Sequence, residues 1–330
     1  MGNRWCYRVC WLICFSTLFT VPTRAQWLTA ERELMGTRVS VELWSKDEKA
    51  GQRAIDLVFN EIERLDQMMN PWNPASELAR INRNAGSGAL TTTAELVAVI
   101  ERSLHYSRLS GGAFDVSFAS VAQHYDYREG KAPTGQLVEK AKKDIDYRAI
   151  QLDSYKRQIR FVRPGLQLDL GGIAKGYAVD RGIDLLRAEG IQAAVVTAGG
   201  DSRILGDMGD RPRTVGIRHP RKEGEFVVMI PLADTAISTS GDYERFFIKD
   251  GVRYHHILDP KNGRSASAVQ SVTILAGNAM DTDALSTTVF VLGVQPGLNL
   301  VNSLDGVEAI IIDAAGKLHY SKELLLSTQP

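Results

Sequence analysis

The run Asp169-Leu-Gly-Gly-Ile-Ala-Lys-Gly-Tyr-Ala-Val-Asp180 sets an acid, two adjacent glycines and a lysine at what reads as the mouth of a helix. This combination suits a phosphate-bearing ligand, because main-chain N–H groups and the positive end of the helix dipole meet negative charge there. Gly171 and Gly172 have no Cβ to hold a phosphate or a metal away from the main chain, and Lys175 falls in the first helical turn. Taken alone, the segment also fits an ordinary tight connection with a solvated lysine, since a glycine pair is a weak signal.

Asp283 and Thr287 lie four apart in Ala279-Met-Asp-Thr-Asp-Ala-Leu-Ser-Thr287 and share one face of an expected helix, so a carboxylate and a hydroxyl can offer oxygen to one hard cation. Asp281 points elsewhere, about 200° round the helix. Acids at a helix start also arise for dipole reasons alone. In His255-His256-Ile-Leu-Asp259-Pro260 an imidazole suited to proton transfer stands where a strand ends. Adjacent strand positions face opposite ways, so one of the two histidines at most belongs to a site. Trp72, in the turn Pro71-Trp72-Asn73-Pro74, is either a stacking platform or a cover for the core edge. Ala113-Phe114-Asp115 leaves a glycine turn as a ligand-gripping loop does. Ser238-Thr-Ser-Gly-Asp242 offers hydroxyls without the partners of a serine hydrolase.

The elements that position these groups can be read from periodicity. Residues 31–43 alternate as a hairpin centred on Met35-Gly36. Ala54, Leu57, Val58, Glu61, Ile62, Leu65 and Met68 trace one face of a helix that must stop before Pro71. Thr92-x-x-Glu95 reads as a capping box opening a helix to about Leu109. Residues 166–169 alternate like a strand feeding the helix after Gly172, and residues 193–197 read as a buried strand. Short alternating stretches fill 214–257, and helices from Ala279 and Pro296 precede strands at 309–313 and 318–320. Strands and helices mix without strict alternation, which gives an α+β fold.

Lys plus Arg equals Asp plus Glu at 39 each in 330 residues, so no net field draws the chain to nucleic acid or an anionic membrane, and any phosphate site is local. Arg4 and Arg8 precede an apolar stretch at 9–21 and then Pro22-Thr-Arg-Ala25, which reads as a signal peptide over residues 1–25 that exports residues 26–330 to the periplasm. The stretch is shorter than the roughly 20 residues of a spanning helix; an uncleaved anchor is the alternative. Cys6, Cys10 and Cys14 all sit in this leader. Cleavage therefore removes thiol chemistry and disulfides from the mature chain.

Seven motifs occur in order: Leu34-Met-Gly-Thr37, Gly112-Ala-Phe-Asp115, the Asp169–Asp180 run, Gly199-Gly-Asp201, Ser238-Thr-Ser-Gly-Asp-Tyr243, His256-Ile-Leu-Asp-Pro260 and Thr282-Asp-Ala-Leu-Ser-Thr287. Together they resemble the FAD:protein FMN transferase (ApbE) family over nearly all of the chain after the leader. The resemblance implies a duplicated α+β T-fold with a ligand cleft between its halves. It implies FAD contacts at Met35, Trp72, Ala113, Phe114, Asp115, Asp169, Lys175 and Ile257, and a Mg²⁺ site from the Gly172 carbonyl with the side chains of Asp283 and Thr287. The family more often has another ring in place of Trp72 and alanine in place of Thr282, and neither departure removes a ligand.

The activity so implied is Mg²⁺-dependent transfer of FMN from FAD to a threonine or serine hydroxyl of an acceptor redox protein, with AMP as leaving group. His256 or Asp283 is expected to help deprotonate the hydroxyl, and Lys175 with its helix N-terminus to stabilise phosphate charge. Membrane contact is expected only through a membrane-bound acceptor or an uncleaved leader. Two alternatives stay open. Water as acceptor makes the chain a Mg²⁺-dependent FAD pyrophosphatase giving FMN and AMP, and loss of catalysis makes it a periplasmic flavin-binding protein.

Overall fold

The alternation at 31–43 closes into a hairpin of β1 (Gln26–Leu34) and β2 (Thr37–Ser45), in register from Gln26↔Ser45 to Leu34↔Thr37. In this computed structural model, which describes residues 25–207 and 212–327, the turn residues Met35 and Gly36 have φ of 52° and 67°. Two left-handed residues in a two-residue loop match the twist of the strands they join, at a steric cost that falls on Met35. Residues 1–24, which hold the three cysteines and nearly all of the expected signal peptide, lie outside the described residues.

Six further strands extend this pair: β3 (Ala194–Ala198), β4 (Asp201–Leu205), β5 (Ala236–Gly241), β6 (Val269–Ala276), β7 (Glu308–Asp313) and β8 (Leu318–Tyr320). They form one eight-stranded sheet whose spatial order is the chain order, with every pairing antiparallel. Each half of the chain supplies an antiparallel pair, then helix, then a second pair. The halves join where β4 meets β5, with Asp201 opposite Ser238. This is the α+β architecture expected.

One face of the sheet, with Val39, Val41, Leu43, Ala194, Val196 and Ala198, is buried under the main helices α1 (Glu48–Met69), α2 (Glu77–Arg83), α3 (Ala94–Leu109), α4 (Ala174–Ala188), α5 (Ala279–Leu292) and α6 (Val294–Val301). On α1 the core face runs through Ile55, Val58, Phe59, Ile62 and Leu65. Leu57, expected there, is 43% exposed, because it sits about 100° from Val58 round the helix. On the other face Val195, Ile204, Ile237 and Leu275 pack against Val215, Ile230 and Leu232 of a hairpin of Arg213–Arg218 with Phe226–Leu232.

Two local expectations are corrected. Residues 166–169 are extended but form no strand: Leu168 exchanges hydrogen bonds with the Asn82 side chain, Gln167 N donates to Ser120 Oγ, and Asp169 N donates to the Val116 carbonyl. Their backbone is satisfied by side chains and a loop rather than a ladder. The cap of α3 is Thr93, whose Oγ1 accepts from Leu96 N at 3.3 Å, while the Thr92 hydroxyl donates to Glu77. Among the described residues no helix is long and apolar enough to cross a membrane.

Candidate active site

A cavity of about 1300 Å³ opens between the halves. It is larger than the roughly 300–1,000 Å³ of drug-sized ligand pockets, in keeping with a dinucleotide-sized occupant. Every residue expected to contact flavin or metal lines it, namely Met35, Trp72, Ala113, Phe114, Asp115, Asp169, Gly172, Lys175, Ile257, Asp283 and Thr287, and so does His256, the expected proton acceptor.

The floor of the site is set by a reciprocal lock between α4 and α5. Gly176 of α4 lies so close to the Ala279 carbonyl that a Cβ there would sit 2.1 Å from its oxygen. One turn on, the Asp180 carboxylate accepts from Ala279 N and Met280 N, both at 2.8 Å, and so caps α5. In return Asp283, one turn beyond Ala279, accepts from Gly176 N at 3.0 Å near the start of α4. Each helix thus uses a small residue for close approach and an acid for the partner's unsatisfied N–H groups. Arg203 of β4 donates to Asp180 at 2.7 Å and completes the buried pairing.

Lys175 Nζ stands 2.6 Å from Asp201 and 3.3 Å from Asp283. Burial works against its charge, but the two carboxylates outweigh burial and raise its pKa. The cluster holds two acids and one base. Burial and the Asp201 charge accordingly lift Asp283 to about 7.

Thr287 follows Asp283 by one helical turn, and a side chain on Gly172 would press on Thr287 Oγ1 at 3.4 Å and on the Phe114 ring at 3.2 Å. Asp283, Thr287 and the Gly172 main chain all line the cavity, and among them they carry carboxylate, hydroxyl and carbonyl oxygens. That set fits Mg²⁺, which takes one or two carboxylates and completes its shell with phosphate oxygens and water. Among the described residues no group of three or more His, Cys, Asp or Glu side chains is placed to hold a metal. A cation here depends on neutral protein oxygens and on its substrate.

The two histidines divide as strand geometry requires. His255 is buried, with Nε2 2.6 Å from the Ala266 carbonyl and Nδ1 accepting from Ile257 N. His256 faces the cavity, and its Nδ1 is buried without a hydrogen-bond partner. Burial, with the nearby Arg245 charge, lowers its pKa to about 3, so the ring is neutral near pH 7.

Trp72 is 71% exposed at the rim, on a turn whose Asn70 side chain accepts from Trp72 N. Both oxygens of Asp115 are engaged within the loop, by Ser117 N, Ser117 Oγ and Tyr147 N. Its carboxylate holds the Ala113–Phe114 corner in shape. Asp169 accepts from Gly171 N and so fixes the glycine pair.

The ApbE family model matches residues 35–311. The chain belongs to the ApbE family. It is 33% identical over 298 residues to a Treponema pallidum protein named FAD:protein FMN transferase, covering 84% of this chain and 82% of that one. A Klebsiella pneumoniae protein of the same name is 28% identical, covering 84% and 87%. The crystal structure of the ApbE protein from Thermotoga maritima superposes with a TM-score of 0.85 at 30% identity, covering 92% of this chain and all of that one. The flavin transferase ApbE from Vibrio cholerae gives 0.82 at 26%, covering 92% and 99%.

Within this ApbE chain, sequence reasoning gave no role to Asp201, Asp180 or Arg245. Asp201 follows a glycine pair, as Lys175 does, and that repeat was the available signal. Its pairing with Lys175 depends on β4 lying beside α4, which no local pattern encodes.

Proposed function

We propose that this chain is an FAD:protein FMN transferase that moves FMN from FAD to a threonine or serine hydroxyl of an acceptor protein. Its family and the names of its relatives support the overall activity. The observation that carries the finer reading is the unpartnered Nδ1 of His256 in the same cavity as the oxygen set of Asp283, Thr287 and Gly172. In the step proposed, the acceptor oxygen bonds to the FMN phosphorus, the bond from that phosphorus to the bridging oxygen breaks, and AMP leaves with that oxygen. The hydroxyl proton passes to His256. Asp283 is the weaker candidate for the base, since its carboxylate already accepts from Lys175 and Gly176 N.

Asp283, Thr287 and the Gly172 carbonyl would hold Mg²⁺. When bound, the ion neutralises pyrophosphate charge and improves AMP as a leaving group. Lys175 donates to both Asp283 and Asp201 and so holds the two carboxylates in place. Trp72 is placed to stack on an aromatic ring at the rim, and the glycine pair lets phosphate approach the main chain.

Co-expression with candidate acceptors tests the reading by in-gel flavin fluorescence, with an acceptor-free arm containing FAD and Mg²⁺. Labelled acceptor supports it. Free FMN and AMP without labelling would make the chain a pyrophosphatase, and intact FAD throughout would make it a carrier. We further propose export to the periplasm by residues 1–25, with a redox protein there or in the inner membrane as acceptor. N-terminal sequencing of the periplasmic protein should begin at Gln26.

A further inference from the structure

We infer that Arg245 is a further catalytic residue, whose guanidinium pairs with the phosphoryl group of FMN during transfer and holds it against His256. The inference rests on the transferase reading and adds a residue to it. Arg245 lines the cavity beyond β5. Its Nη2 donates to the Gly36 carbonyl at 2.9 Å, and its own carbonyl accepts from His256 N at 3.2 Å. The side chain therefore reaches from the second half of the molecule to the hairpin turn of the first, across the cleft a dinucleotide enters. Its backbone is tied to the imidazole proposed to take the acceptor's proton.

Charge bookkeeping points the same way. Lys175 is committed to Asp201 and Asp283, and the neighbouring arginines Arg218 and Arg221 pair with Glu244 and Asp242. Arg245 makes no ion pair among the described residues. A guanidinium has five N–H donors in a planar fork that matches phosphate, and the Gly36 carbonyl uses one. While the acceptor oxygen bonds to phosphorus and the bridging oxygen departs with AMP, charge is spread over the remaining phosphoryl oxygens. A preorganised cation at that point lowers the barrier. Arginine suits the role better than lysine because its donors are fixed in a plane.

The test uses the full chain with FAD, Mg²⁺ and a panel of acceptor proteins, wild type and variants in parallel. Arg245→Ala is expected to lose about a hundredfold in turnover with less than about tenfold change in the Michaelis constant for FAD. Arg245→Lys should recover only part of the loss. Added guanidinium should restore Arg245→Ala but not His256→Ala, with the melting temperature of Arg245→Ala unchanged. Turnover near that of wild type overturns the inference, as does a loss that guanidinium does not recover; the latter makes Arg245 a strut between the halves. A wild type that labels no acceptor removes the transferase reading itself, and the inference with it.

Discussion

His256 and Asp283 face the same cavity, and burial moves their pKa values in opposite directions. Replacing His256 by alanine removes the proposed base, and the expected loss of transfer is about 10²–10⁴-fold with FAD binding retained. Unchanged labelling rates would assign the proton elsewhere. The pKa of His256 falls from its ordinary value of 6.5 to about 3 on folding, so between these values the unfolded chain binds a proton that the folded chain does not. Its contribution to stability is thus present above about pH 6.5 and is lost as pH falls toward 3. His256→Gln should flatten the acid limb of stability against pH, measured by denaturant unfolding at stepped pH. Asp283 carries the opposite shift, to about 7, so cation uptake below that pH must displace a proton. Calorimetry should find Mg²⁺ binding stronger at pH 8 than at pH 6, with proton release at the lower pH; affinity independent of pH would exclude Asp283 as ligand. At the rim, Trp72→Ala removes a stacking surface worth about 1 kcal/mol, and FAD affinity should fall about fivefold by fluorescence titration.

At the scale of elements, the lock between α4 and α5 carries the geometry of the site. Gly176→Ala gains about 1 kcal/mol in helix propensity but drives a Cβ into the Ala279 carbonyl. Overpacking costs about 1–3 kcal/mol, and here the contact is main chain that cannot swing aside, so the clash wins. The variant should unfold at lower denaturant and lose activity through displacement of Asp283. Asp180→Ala breaks the buried pair with Arg203 and uncaps α5, an expected loss of about 3 kcal/mol. Equal midpoints for wild type and Asp180→Ala would show that Asn278, which accepts from Asp281 N, caps α5 alone.

These elements also mark what a sequence discloses. The β1–β2 hairpin was legible, because period-two alternation around Met35-Gly36 is a local signal. Residues 166–169 misled for the same local reason: they alternate, yet their partners are Asn82, Ser120 and Val116, chosen by tertiary contact. Thr92 and Thr93 are adjacent hydroxyls that both donate to Glu77 of α2, and it is Thr93 that also accepts from Leu96 N and caps α3.

For the molecule as a whole, function follows from duplication. Two copies of strand pair, helix, strand pair make one sheet, and the cleft lies between the copies with α4 and α5 at its base. The ordered motifs supply many of the residues that line the cleft, because motif order is carried by the chain even where contacts are not. The network binding them, Asp201 with Lys175 and Asp180 with Arg203, was not legible because it depends on β4 reaching both helices. The central claim is that this cleft holds FAD so that an oxygen-bound cation and His256 direct FMN onto a protein hydroxyl. Intact mass spectrometry of an acceptor incubated with the chain, FAD and Mg²⁺ tests it most directly. The account predicts a gain equal to FMN less water on one threonine or serine, with one AMP released per label and no label from an Asp283→Ala enzyme. An acceptor of unchanged mass, or one labelled equally by Asp283→Ala, would contradict it.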